Sequence, residues 1–180
     1  MASGAGWLVT VKEPPESAEA AQPARGPHES LEAYVVRLAR AKAEAVAASG
    51  MVGMRGTLVA CDTLSEVDGT MLGKPADRAA ARRMLEALAG KRHRVLTGMC
   101  VWSLPEGEPR FEVVESLLEM GPLSEEFLHW YLDSGLWQGK AGACGFQDER
   151  LPLVLVAGSP SNVVGLPLEA LRRMLDELEP

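Results

Sequence analysis

The stretch Thr57-Leu58-Val59-Ala60-Cys61-Asp62-Thr63-Leu64-Ser65-Glu66-Val67-Asp68-Gly69-Thr70-Met71-Leu72-Gly73-Lys74-Pro75 decides the fold. Thr57 to Cys61 is a short apolar run that stops abruptly at Asp62 and Thr63, as a buried strand does when it delivers a carboxylate at its C-terminal end. In open α/β sheets that end is where ligands sit. Asp68-Gly69 is a two-residue hairpin signal, and Gly73-Lys74-Pro75 follows as a tight loop. Taken singly, Asp62 also fits a loop-capping aspartate after a strand and Lys74 a solvated turn lysine.

Outward from this stretch, helical and strand patterns interleave. Before it, Leu31, Tyr34, Val35, Leu38, Ala45 and Val46 recur at helical spacing between Leu31 and Ala48, with Ser30 placed to cap and Glu32 in the first turn. Lys42 falls on that apolar stripe, four residues after Leu38, where spacing alone reads it as an edge lysine whose stem packs while its ammonium reaches water. Further back, Trp7 to Val11 is strand-like, and 13–29 is a Pro/Ala-rich loop without apolar period. After the stretch, Asp77 caps a helix through Leu88, with Ala81, Met84, Leu85 and Leu88 inward and Gly90 as its stop. His93 to Trp102 and Phe111 to Leu118 form a second hairpin around Pro105 to Pro109. Ser124 opens a helix ending at Gly135, a Gly-rich loop spans Gly139 to Gln147, Leu151 to Ala157 is a strand, and Pro167 starts a last helix reaching Leu178. The class is α/β, with no internal repeat.

The 180 residues suffice for a single domain over 1–180 with a full core. Apolar residues at 47% and charged residues at 24% match ordinary globular usage, and no apolar run approaches the roughly 18 residues of a spanning helix. With no signal segment after Met1, a cytoplasmic protein without a membrane partner is expected. Cys61, Cys100 and Cys144 are odd in number and far apart, so they read as reduced thiols. The net charge of −7 argues against nucleic acid as a partner but leaves room for a polyanionic small molecule where lysines and a metal gather. His28, His93 and His129 are scattered without the spacing of a zinc site.

Several blocks, in order, resemble the Maf-type nucleoside triphosphate pyrophosphatases. Glu32 to Ala43 resembles the family's helix with its lysine, and Ala60-Cys61-Asp62-Thr63 its G-A-D-T strand end. Val67 to Pro75 is similar to its hairpin and G-K-P loop, which Ala81 to Leu85 continues. Pro122 to Glu126, Gly139 to Gln147 and Ser161 to Pro167 match the remaining blocks, so the likeness runs from about Ser30 to the end. At the front, the family's first strand and its S-x-S-P-R-R loop have no counterpart, and the resemblance sets Met1 inside the family's first helix. Cys61 replaces the usual Ala, and Cys144 stands where an aromatic residue is common.

The resemblance implies a Maf/ITPase-like (anticodon-binding-like) mixed twisted sheet flanked by helices, with a cleft between two lobes. It implies hydrolysis of a canonical or modified nucleoside triphosphate to the monophosphate and pyrophosphate, with Mg²⁺ or Mn²⁺ and a homodimer. Asp62 takes the catalytic role, orienting and deprotonating water or binding the metal, with Glu19 as a further metal residue. Lys42, Lys74, Thr63, Lys140 and Gln147 hold substrate. For Glu19 a solvated glutamate, for Lys140 a surface charge, and for Ser161 and Asn162 a capping role for the last helix stand as alternatives. Loss of several oxyanion-stabilising groups of the S-x-S-P-R-R loop motivates a second expectation, a catalytically weak or inactive nucleotide-binding protein.

Overall fold

The computed structural model describes residues 10–11, 24–49 and 55–178. Helix α1 (Leu31–Ala48) begins where the Ser30 hydroxyl accepts from the Ala33 amide at 3.1 Å. Its buried stripe is Leu31, Val35, Ala39, Ala43 and Val46, spaced by three and four residues. Tyr34 and Leu38 flank that stripe half-buried. Lys42, three residues after Ala39 and four before Val46, lies on the stripe itself, half-buried.

Strands β1 (Gly56–Val67) and β2 (Thr70–Leu72) form the hairpin expected at Asp68-Gly69, whose φ angles of 51° and 78° are the paired left-handed values of a two-residue turn. β1 does not end at Asp62, as the apolar run suggested. It continues to Val67 because its ladder with β3 runs on through Glu66, where polar side chains such as Thr63 and Glu66 find partners within the fold. Thr63 Oγ1 meets Thr97 Oγ1 at 2.8 Å, and Glu66, buried, accepts from Arg94 at 2.8 Å. Polarity marked a change of surroundings there, not a change of backbone.

Helix α2 (Arg78–Leu88) is capped by Asp77, whose carboxylate accepts from the Ala80 amide at 2.7 Å, and Gly90 at φ 69° follows its end. β3 (Arg92–Leu104) and β4 (Arg110–Met120) make the second hairpin. α3 (Glu125–Ser134) runs from the Ser124 cap to Gly135 at φ 72°. A short 3₁₀ turn (Ala141–Ala143), β5 (Leu153–Ala157), the brief helix α4 (Pro160–Val163) and α5 (Leu168–Asp176) complete the chain, with Pro167 as the N-cap of α5. α4 has too few residues to show a period, so the sequence pattern gave no sign of it.

The strands lie in the order β2-β1-β3-β4-β5, and every pairing among the described residues is antiparallel. Helices flank the sheet, in agreement with the expected α/β architecture. One face carries α1, with Leu64 and Leu96 against Leu31 and Val35, and Cys100 against Ala39 and Ala43. On the other face Met99 and Val101 pack against Ala170 and Met174 of α5. A third cluster joins Leu85, Leu88, Leu128, Tyr131 and Leu132 between α2 and α3. Strand alternation explains the split, since successive side chains point to opposite faces.

Gly98 fixes how closely α1 approaches. It lies opposite Asp62 in the β1–β3 ladder, and a Cβ there would fall 2.3 Å from the Val35 carbonyl oxygen. Only a residue without a side chain lets the helix backbone settle on the sheet at the Asp62 register.

Candidate active site

β2 pairs with β1 only at Ser65 to Val67, so among the described residues the earlier part of β1 has no strand on its outer side. A cleft of about 390 Å³ opens along this region. Its walls include Lys42 from α1, Asp62 and Thr63 from β1, Lys74 from the loop after β2, and Lys140 and Gln147 from the Gly-rich loop. Six of the sequence-predicted site residues thus share one cavity. Glu19 and most of Trp7 to Val11 lie outside the described residues, as does 13–29 apart from its last six positions.

Lys42 Nζ stands 2.5 Å from Asp62 Oδ1, with the two side chains 22% and 18% exposed. Enough water reaches the pair for exchange of partners, yet both groups are half-enclosed and their interaction is stronger than at an open surface. Lys74 is exposed beside the buried Pro75. Its loop is tied to the opposite wall, because the Gly142 amide donates to the Gly73 carbonyl at 3.1 Å. The Gly142 φ of 69° suits glycine at that crossing.

Lys140 lines the cleft but already has an anion. Its Nζ donates to both oxygens of Asp148, at 2.6 and 2.7 Å. Tyr131 OH donates to the same carboxylate at 2.6 Å and the Gly145 amide at 3.0 Å. Asp148 therefore gathers α3 and both ends of the Gly-rich loop around one half-buried carboxylate. Burial, with Asp148 adding to it, raises the Tyr131 pKa above the ordinary tyrosine value, so the phenol stays a donor. Sequence pattern did not single out Asp148, which follows Gln147 in a stretch with no periodicity. The sign available was an acid, Asp148 beside Glu149, a loop's length from Lys140.

Thr63 is engaged within the sheet through Thr97, whose hydroxyl also reaches the Asn162 carbonyl at 3.4 Å. Ser161 accepts from the Leu168 amide at 3.0 Å and so does serve the start of α5. Asn162, fully buried, donates to the Val95 carbonyl at 3.3 Å and to Ser116 Oγ at 2.9 Å, a structural post. Burial pushes the thiols of Cys61 and Cys144 up to about 12 each, so neither is a nucleophile at neutral pH. The third free thiol, Cys100, is buried as well.

Among the described residues, no group of three or more His, Cys, Asp or Glu side chains could hold a metal ion. Asp62 is the sole carboxylate on the described cleft wall, set among three lysines. Such a wall suits a polyanion that brings its own divalent cation, since Mg²⁺ is commonly held by one or two carboxylates plus substrate phosphates. Among the described residues, no helix is long and apolar enough to cross a membrane.

Residues 5–178 match the family model described as Maf-like protein. A protein of Rhodopirellula baltica named dTTP/UTP pyrophosphatase is 39% identical over 178 residues, covering 98% of this chain and 76% of the relative. One of the same name from Anaeromyxobacter is 45% identical over 156 residues, 82% of this chain and 72% of the relative. Another, from Pyrococcus abyssi, is 36% identical over 171 residues, 94% of this chain and 87% of the relative.

Proposed function

The chain belongs to the Maf-like protein family, and we propose from that premise that it is a nucleoside triphosphate pyrophosphatase, a hydrolase acting on a phosphorus-containing anhydride. The relatives' names point to dTTP and UTP as substrates. The observation that carries the reading is the Lys42–Asp62 pair on the wall of a cleft that also presents Lys74 and Lys140. A triphosphate brings about four negative charges, and catalysis of phosphoryl transfer is mostly positioning and charge stabilisation.

In the reaction, a water oxygen bonds to the α phosphorus and the bond from that phosphorus to the α–β bridging oxygen breaks. Pyrophosphate leaves with the bonding electrons, and Asp62 orients the water and takes its proton. Lys42, released from Asp62 as the phosphates arrive, and Lys74 neutralise phosphate oxygens. Gln147 closes the Gly-rich loop over the nucleotide. Mg²⁺ or Mn²⁺, held by Asp62 and the substrate's own phosphates, would supply further charge neutralisation.

The second reading, a weak or silent nucleotide-binding protein, is not favoured, because the relatives reported above are named for catalysis. A cytoplasmic location is part of the proposal, as is the absence of nucleic acid and membrane partners, which the charge of −7 supports. A homodimer is proposed as well. Val154 and Val156, exposed on the outer strand β5, offer an apolar strand edge of the kind that pairs.

Hydrolysis of UTP in ¹⁸O-labelled water tests the reaction. Label in UMP, with unlabelled pyrophosphate as co-product, is the expected result. Release of inorganic phosphate and UDP would place the attack at another phosphorus and overturn the assignment.

A further inference from the structure

Two lysines of the cleft wall are already paired with carboxylates, Lys42 with Asp62 and Lys140 with Asp148. Each pair is neutral, so a polyanion draws on either lysine only when the ammonium changes partner. What the lysine leaves behind differs between the two. Asp62 faces the cleft itself, whereas Asp148, its side chain 9% exposed, is not on the described cleft wall. With Tyr131 it lines a separate cavity of about 280 Å³, which shares Gln147 with the cleft.

An enclosed carboxylate that loses its cation is costly, because the charge left behind has no partner. Asp148 keeps partners. Tyr131 OH at 2.6 Å and the Gly145 amide at 3.0 Å both donate to its Oδ2, and neither depends on Lys140. Tyr131 is fully buried on α3 and stacks on Phe127 at 5.8 Å, so its hydroxyl is fixed in place. Hydrogen bonds from neutral donors stabilise an ionised carboxylate without any cation.

Gly145 also leaves room for the lysine. Its φ is not left-handed, yet a Cβ there would fall 2.8 Å from Lys140 Nζ and 3.0 Å from Lys140 Cδ. The absent side chain is therefore space over which the Lys140 stem lies, on the wall of the cleft. Lysine is a point charge on a flexible stem, suited to such a change of partner.

Building on the nucleotide reading above, we propose that Tyr131 is a positioning residue for phosphate binding. With the Gly145 amide it holds the Asp148 carboxylate in place, so that Lys140 passes from Asp148 to the substrate's phosphate oxygens and returns when they leave. Tyr131 touches no substrate and acts through Lys140.

Inorganic tripolyphosphate, which has the charge and no base, is the probe. Its affinity is measured by calorimetry on the wild-type protein, Lys140→Met, Tyr131→Phe, Asp148→Asn and the double variant Lys140→Met/Tyr131→Phe, each checked by a thermal melt. Lys140→Met is expected to weaken binding about tenfold, the scale of one charge-assisted hydrogen bond. Tyr131→Phe, which removes only the hydroxyl, is expected to weaken it about fivefold by leaving Asp148 more dependent on Lys140. Asp148→Asn is expected to tighten it, since the amide still accepts from Tyr131 and Gly145 but no longer holds the ammonium by charge. In the double variant the Tyr131 change is expected to add nothing to the loss from Lys140→Met.

Weaker binding in both Tyr131→Phe and Asp148→Asn, or a Tyr131 effect that persists without Lys140, would mark a merely structural hub and overturn the proposal. Wild-type affinity in Lys140→Met would overturn it as well. Should Asp148→Asn fail to fold, the cycle between Tyr131 and Lys140 decides alone. Pyrophosphate release from UTP is followed on the same wild-type protein. No release, with the affinities as expected, removes the hydrolase reading and leaves the exchange of Lys140 standing; release with undiminished affinity in Lys140→Met does the reverse.

Discussion

Lys42 Nζ and Asp62 Oδ1 lie 2.5 Å apart, joining helix α1 to strand β1 at the cleft that Lys74 and Lys140 also face. The pair holds the carboxylate aimed while no phosphate is bound, and hands the lysine to phosphate when one arrives. Lys42→Ala is expected to lower kcat/KM for UTP about a hundredfold, the scale of one lost preorganised donor. Stability should change little, because both side chains retain solvent contact. Kinetics and a thermal melt on the same preparation check both parts.

Gly98 sets the height of α1 over the sheet. A Cβ at this position would sit 2.3 Å from a backbone oxygen that cannot rotate away. Gly98→Ala is expected to cost about 2 kcal/mol through overpacking. Because Lys42 rides on the displaced helix, activity should fall further than the melting temperature suggests. Urea unfolding with parallel kinetics measures the two effects.

Asp148 is the tie between α3 and the Gly-rich loop. Asp148→Ala leaves Tyr131 OH, Lys140 Nζ and the Gly145 amide without their shared acceptor. A loss of about 2 kcal/mol is expected in urea unfolding, the range for stranded donors to a charged acceptor. With Gln147 no longer held in register, KM for UTP should rise more than kcat falls.

Cys61 makes alkaline stability a readout of burial. Its thiol is pushed up to about 12 from an ordinary value of 9.0, chiefly by desolvation. Above pH 9 the unfolded chain loses this proton while the folded chain keeps it, so stability present below pH 9 declines as pH rises toward 12. Cys100, raised to about 11, acts in the same direction. Cys61→Ala should flatten part of that decline in urea melts between pH 8 and 10.5.

Much of the fold was legible because its cues are local. Ser30, Asp77 and Ser124 cap helices as their chemistry demands, Asp68-Gly69 turns the first hairpin, and Gly135 ends α3. The extent of β1 was not legible, since Thr63 and Glu66 stay in the sheet only through Thr97 and Arg94, more than twenty residues away in sequence. Lys42, Asp62, Lys74, Lys140 and Gln147 were singled out by family likeness, and what the chain folds together is their common cleft. Spacing alone read Lys42 as an edge lysine and could not show that its ammonium turns to Asp62. Asp148 escaped because its partners come from three separate segments.

Pyrophosphate release from UTP by Asp62→Asn tests the central claim most directly, since the amide keeps the shape of the carboxylate but cannot take a proton from water. A fall of about a thousandfold or more, with an unchanged melt and retained UMP binding, is the predicted result. Turnover at the wild-type rate in a folded variant would remove Asp62 from the chemistry and contradict the account.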